Sequence, residues 1–158
     1  MGSDPRMREI FSSDWLAPGG VTDGYAWCCS FVSMCVQKLI AQNQFYGHVR
    51  PPRTAGVTDF RTNWAPGQNC LIFRPNDRNR RPHKGDIVVF TFSHIGIVDQ
   101  VGQNQVRTIE GNTNEAGSRE GTTVRQKDRA FPIIRCFIRL PVPKSYDISN
   151  LVCLPVPV

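Results

Sequence analysis

The sequence predicts an α+β fold, with one buried helix packed on an antiparallel β-meander. Three observations carry that reading. Apolar residues recur at helical spacing over residues 26–42. From Lys84 onward the pattern changes to short strand-like runs. Those runs follow one another closely, with turns such as Gly102-Gln103-Asn104 between them.

In chain order, Phe11 and Trp15 lie four residues apart and share one face of a short helical turn. A Gly- and Pro-rich approach follows, Ala17-Pro18-Gly19-Gly20-Val21-Thr22-Asp23-Gly24. It ends at the helix, where Cys28, Val32, Cys35 and Leu39 recur at intervals of four, three and four residues. Phe31, Met34, Val36 and Ile40 widen the apolar surface. A helix apolar most of the way round is expected to be buried. Asp23 or Thr22 is the expected cap, and Asn43 and Gly47 fit the end.

Residues 43–82 are punctuated by Pro51-Pro52, Gly56, Pro66-Gly67, Pro75 and Pro82. Phe60 and Trp64, four apart, share a short helical face. An irregular segment of this length in a compact domain is more often functional than idle, so it is expected to form a wall of a cleft. Strands are predicted at 86–92, 94–101, 105–110, 122–126 and 132–140, with a loop at 112–121. Residues 8–140 are read as one domain and 141–158 as a Pro-rich tail or linker.

A chain of 158 residues can bury a sizeable core. Its net charge of +6 favours anionic partners such as nucleic acid, anionic lipid or a polyanion-bearing bacterial wall. The cluster Arg74, Arg78, Arg80, Arg81 and Lys84 lacks interleaved aromatics and reads first as a solvated loop. No apolar run approaches the roughly 20 residues that span a bilayer, so no membrane insertion is expected. The first residues lack the apolar core of a secretory signal. Three of the six cysteines crowd into the helix, which points to reduced thiols and not to a disulfide framework.

Cys28 and Cys29 stand on the first turn of the helix, where unpaired backbone N–H groups favour a thiolate. Either is a candidate nucleophile, provided an imidazole and an orienting group are supplied. His48 and His83 lie among turn residues, whereas His94 opens an apolar strand. If the following hairpin pairs Gln100 with Val106, His94 falls opposite Asn112, with Glu110 two residues along on the same face. A one-residue slip would place these groups on the wrong face. Either Glu110 or Asn112 then orients the imidazole. Zinc is the chemical rival, but Cys28, Cys29 and Cys35 contain no C-x-x-C pair, and no metal is expected.

Four motifs occur in order: Trp27-Cys28-x-x-Phe31-Val32, Lys84-Gly85-Asp86-Ile87-Val88-Val89-Phe90, His94-Ile95-Gly96-Ile97-Val98 and Ile109-Glu110-Gly111-Asn112-Thr113. Together they closely resemble the CHAP family of cysteine amidases and peptidases, within the NlpC/P60 group of papain-like folds. The resemblance spans roughly residues 8–140 and implies cleavage of an amide bond in peptidoglycan, as in phage endolysins, autolysins and antibacterial effectors. It implies Cys28 as nucleophile, His94 as base, Glu110 as its orienting partner and Asn112 as a positioning group. Asp86 is expected to be structural. Trp27 and Tyr25 are candidate substrate contacts, Tyr25 also as an oxyanion donor. Cys29 stands where the family more often has a small residue. Glu9, Asp14 and Asp23 are too scattered for a calcium loop, so no calcium and no other cofactor is expected. The expected partner is bacterial peptidoglycan, reached by a monomer released by a phage or exported as an effector; nucleic acid is not expected. The alternative is a non-catalytic basic module that binds wall or nucleic acid.

Overall fold

The computed structural model describes residues 27–113 and 123–141. Phe11 and Trp15, the approach at 17–24, Tyr25, most of the loop at 112–121, Cys153 and the tail beyond residue 141 lie outside the described residues. Helix α1 (Cys28–Gln42) is followed by a 3-10 turn at Gln44–Tyr46 and then by a helical stretch over 57–67. Six strands follow among the described residues: β1 (Leu71–Phe73), β2 (Ile87–Phe90), β3 (Ile95–Val101), β4 (Gln105–Thr113), β5 (Thr123–Ala130) and β6 (Ile134–Arg139). They form one antiparallel sheet in the order β1-β6-β2-β3-β4-β5.

The α+β class is therefore as predicted, but the meander is only part of it. Strands β2 to β5 pair in sequence, whereas β6 returns to pair with β2 and β1 adds an edge beyond it. β1 has three residues, too short to display an alternating pattern, and Leu71 and Ile72 are exposed on the sheet edge.

The hairpin register differs from the expected one at the turn and matches it toward the open end. Gln100 pairs with Arg107, not Val106. A bulge between Val98 and Gln100 absorbs the difference, so Val98 faces Thr108 and Ile97 faces Ile109. The extra residue is Asp99, and the open end of the hairpin regains the register that brings His94 and Glu110 to one face.

Apolar packing occupies both faces of the sheet. On one, Cys28, Phe31, Val32 and Val36 of α1 meet Ile87, Val89, Ile95, Cys136 and Ile138, with Phe60 and Ala65 of the helical stretch alongside. On the other, Val88, Phe90, Val98, Val106 and Phe137 form a second cluster with Phe73 and Ile134. Each fully buried side chain of this size contributes about 1.5–3 kcal/mol, so the sheet is held from both sides.

Burial of α1 is graded, contrary to the all-round expectation. Residues from Cys28 through Ser33 are buried, but Leu39 is 38% exposed, because only the first half of the helix lies on β3 and β4. The N-cap is Trp27, which makes no side-chain cap bond; Asp23 and Thr22 lie outside the described residues. Gly111 permits the close approach of helix and strand: a Cβ there would fall 2.7 Å from Phe31 Cβ and 2.8 Å from Trp27 Cζ3.

The segment 43–82 has more order than its prolines suggest. Within the helical stretch, a π-helical turn at Phe60–Trp64 interrupts α-helical turns at Val57–Asp59 and Ala65–Gly67. Phe60 and Trp64 do meet, with ring centroids 4.6 Å apart. Trp64 Nε1 donates to the Arg50 carbonyl and ties the preceding loop down.

Candidate active site

Strand β4 ends in a buried polar cluster. Glu110 is fully buried and accepts from His94 Nε2 at 2.8 Å. Arg129, on β5, grips the same carboxylate with two bonds, Nε to Oε1 at 2.8 Å and Nη2 to Oε2 at 2.6 Å. The Thr108 hydroxyl donates to Oε1 as well. Burial alone would raise the Glu110 pKa, but the bonds from Arg129, His94 and Thr108, with the charge of Arg129, hold it at about 2. Glu110 is thus a fixed carboxylate.

Two aromatic rings shape the same pocket. His94 stacks on Phe90 and Phe92, each with centroids 5.7 Å away. The Arg129 guanidinium lies over those two phenylalanines at 5.2 and 5.5 Å. Gly96 leaves room for the carboxylate, since a Cβ there would fall 2.8 Å from Glu110 Cγ. With Nε2 committed to Glu110, His94 Nδ1 is the remaining ring nitrogen. It is buried and has no hydrogen-bond partner among the described residues, as is also true of Thr113 Oγ1.

The cysteines sit on the helix side of the sheet. Cys28 is 1% exposed. Burial pushes its thiol above the ordinary value, and the Glu110 charge adds to that. The backbone amides of Cys29, Ile95 and Cys28 act in the opposite direction. The sulfur therefore lies at the amide of the residue that follows His94. No hydrogen bond joins Cys28 to His94, and the resting thiol is neutral. Cys29 turns away: its sulfur donates to the Thr54 carbonyl at 3.5 Å, and Ser33 Oγ donates to that carbonyl at 2.9 Å. Burial pushes the Cys29 thiol up strongly, and Cys28 adds to the effect.

Backbone strain brackets this region. Ser93, next to His94, has φ +58°, and Asn112 has φ +55° at a bulge between Glu110 and Thr113. Left-handed non-glycine residues cost of order 1–3 kcal/mol and collect at functional sites. Asn112 is buried at 4% exposure. Trp27 is equally buried, with its ring over Gly111, and so offers little surface to a ligand. Tyr25 lies outside the described residues.

Asp86 plays the structural part expected of it. It accepts from Arg139 through both carboxylate oxygens, at 2.8 and 2.7 Å, and from the His83 amide at 2.8 Å. In the basic loop, Arg80 pairs with Asp77 and Lys84 with Asp99. The five described cysteines are free thiols. Among the described residues no three His, Cys, Asp or Glu side chains are grouped as metal ligands, and no helix is long and apolar enough to cross a membrane.

Arg129 was not foreseen. It lies 19 residues from Glu110 in a strand that also carries Arg125, Lys127 and Asp128. No local signal names it: only once Glu110 is found buried does its carboxylate call for a cation.

Comparison with known proteins agrees with the motif order. A CHAP domain family model matches residues 20–112, more than half of the chain. The chain belongs to the CHAP domain family. CHAP domains are typically hydrolytic cysteine- and histidine-dependent enzymes. A solved structure titled "The crystal structure of Ly7917" is similar at 14% identity and a TM-score of 0.47, covering 85% of this chain. This chain spans 62% of that one. No curated protein sequence matches.

Proposed function

We propose that the chain hydrolyses an amide bond of peptidoglycan with Cys28 as nucleophile and His94 as general base. A helix-borne cysteine against an antiparallel sheet that carries the histidine accords with the papain-like arrangement of the NlpC/P60 group. The observation that carries the reading is the state of His94. Glu110 holds Nε2 at 2.8 Å, and Nδ1 is left without a partner, one residue from the amide that the Cys28 sulfur approaches.

Glu110 fixes the ring orientation, and the Arg129 grip keeps that carboxylate ionised. The neutral thiol gives its proton to Nδ1 once substrate binding turns the ring, which stacks on Phe90, around the strand end toward the Cys28 side of the sheet. The thiolate adds to the amide carbonyl. The Cys28 amide holds the developing oxyanion, with Tyr25 as a second donor. The C–N bond breaks as His94 returns the proton to the leaving amine. Water, deprotonated by His94, then cleaves the thioester, releasing a carboxylic acid and restoring the thiol. Asn112 shapes the end of β4 beside this pair, and Trp27 seats the helix start on Gly111. The reaction needs no cofactor. The bond is the sugar–peptide amide or one within the peptide, and the chain acts as a monomer on the bacterial wall, from a phage or an exporting cell.

The test is turbidity loss and amine release from purified peptidoglycan. Wild type should lyse; Cys28→Ala and His94→Ala should fall to background, and Cys29→Ala should retain activity. Lysis by Cys28→Ala, or binding of peptidoglycan by a wild type that releases no amine, would favour the non-catalytic wall-binding reading.

A further inference from the structure

A second polar pocket opens on the turn at 91–93, immediately before His94. Its cavity of about 260 Å³ is lined by Thr58 and Arg61 of the helical stretch, Thr91 and Ser93 of the turn, and Arg135 of β6, over a floor of Val89 and Phe90. Two arginines, two threonines and a serine thus line a space that would hold several waters. Neither arginine has a carboxylate partner among the described residues; Arg135 makes only a long bond to the Thr91 carbonyl, 3.4 Å. Asp59, on the same stretch as Arg61, is turned instead toward Asn63 and Thr54.

Burial raises the pKa of the Cys136 thiol, and Arg61 and Arg135 each pull it down. Two like charges held together without a counterion repel each other, and an anion between them relieves that cost. Guanidinium pairs match planar or tetrahedral oxyanions through several N–H donors at once, and the Thr58 and Ser93 hydroxyls can supply more, the Thr91 hydroxyl already donating to the Ile133 carbonyl. The pocket also lies on the helix side of the sheet: Val57, at its rim, belongs to the apolar cluster that contains Cys28.

We infer that this pocket is an oxyanion-binding subsite, and that its occupant is a carboxylate of the peptide acted on at Cys28. The identity of the occupant rests on the hydrolase reading; the anion site does not. Peptide stems carry free carboxylates close to their amide bonds, whereas wall polymers would offer phosphate.

Titration of the folded chain with N-acetyl-D-alanine, its carboxamide and inorganic phosphate, followed by the amide NMR signals of Thr91 and Ser93, tests the inference. Saturable shifts are expected with the carboxylate and not with the carboxamide. Arg61→Gln and Arg135→Gln should each weaken binding about tenfold, as loss of one charge-assisted bond does. Arg61→Lys should retain part of it, and Arg107→Gln, which pairs with Asp128 outside this lining, should leave it unchanged. Equal binding of acid and carboxamide, absence of saturation, or unchanged affinity in a folded Arg61→Gln/Arg135→Gln double variant would overturn the site. Phosphate binding more tightly than carboxylate would overturn the peptide assignment in favour of a wall-polymer phosphate. Cys28→Ala should bind the carboxylate like wild type. If it does while the wild type hydrolyses nothing, the hydrolase reading fails and the anion pocket stands.

Discussion

Two arginine–carboxylate pairs of nearly the same geometry sit in this sheet and do different work. Arg129 grips Glu110 with bonds of 2.8 and 2.6 Å, and Arg139 grips Asp86 with bonds of 2.8 and 2.7 Å. Both guanidiniums lie over phenylalanine rings, Phe90 and Phe92 in one case and Phe73 in the other. They differ in the third partner and in water. Asp86 accepts from the backbone of His83 and closes a turn, while the Arg139 side chain keeps 26% exposure. Glu110 accepts from an imidazole and is sealed, with Arg129 at 10% and the carboxylate at zero. The same ion pair ends on the backbone of a turn in one place and on a buried imidazole in the other.

The largest expected effect separates the two carboxylates. Glu110→Gln removes the buried charge that Arg129 grips with two bonds and should destabilise by about 3–5 kcal/mol. It should also abolish turnover per folded molecule. Asp86→Asn should cost less, about 1–3 kcal/mol, because Arg139 can reach solvent, and should leave turnover per folded molecule near wild type. Urea denaturation paired with wall-lysis rates corrected for folded fraction measures both. Equal loss of turnover in the two variants would erase the distinction.

Acid should sharpen it. Glu110 has its pKa lowered from 4.5 to about 2, so the stability it contributes is present above pH 4.5 and is lost as pH falls toward 2. That window corresponds to about 3 kcal/mol. Arg129→Met removes the strongest force holding the carboxylate ionised. The acid limb of the lysis profile should therefore move to higher pH. Arg139→Met should lower the melting temperature without moving that limb.

A smaller effect concerns the helix seat. Gly111→Ala places a methyl 2.7 Å from Phe31 Cβ and should cost about 1–3 kcal/mol by overpacking, with lower activity as the Cys28 turn is pushed outward. The smallest effect should come from Lys84→Gln. Its bond to Asp99 is 2.9 Å, but the lysine is 77% exposed, so melting should show at most about 0.5 kcal/mol.

Much of the site was legible because its groups belong to local patterns. The hairpin needed only period-two alternation to put His94 and Glu110 on one face, and a bulge at Asp99 restored a parity that the assumed turn pairing had set one residue off. The helix start came from the spacing of Cys28, Val32 and Cys35. Its fading burial did not, because apolar residues such as Leu39 face water where the sheet ends, and no helical period records that edge. β1 was too short to show a pattern, and the return of β6 to β2 leaves no mark in either strand.

The sequence by itself determined the class, the order of the elements, and the presence of a thiol, an imidazole and a carboxylate at their ends. Periodicity and motif order are short-range properties, written within tens of residues. The tertiary structure alone decided that Arg129 neutralises Glu110, that Nδ1 is the ring nitrogen left over, that Cys29 is spent on Thr54, and that Arg61 and Arg135 share a pocket. Each of these depends on which distant side chains meet where water is excluded. There a charge must find its partner in three dimensions, and nothing in the local pattern names it.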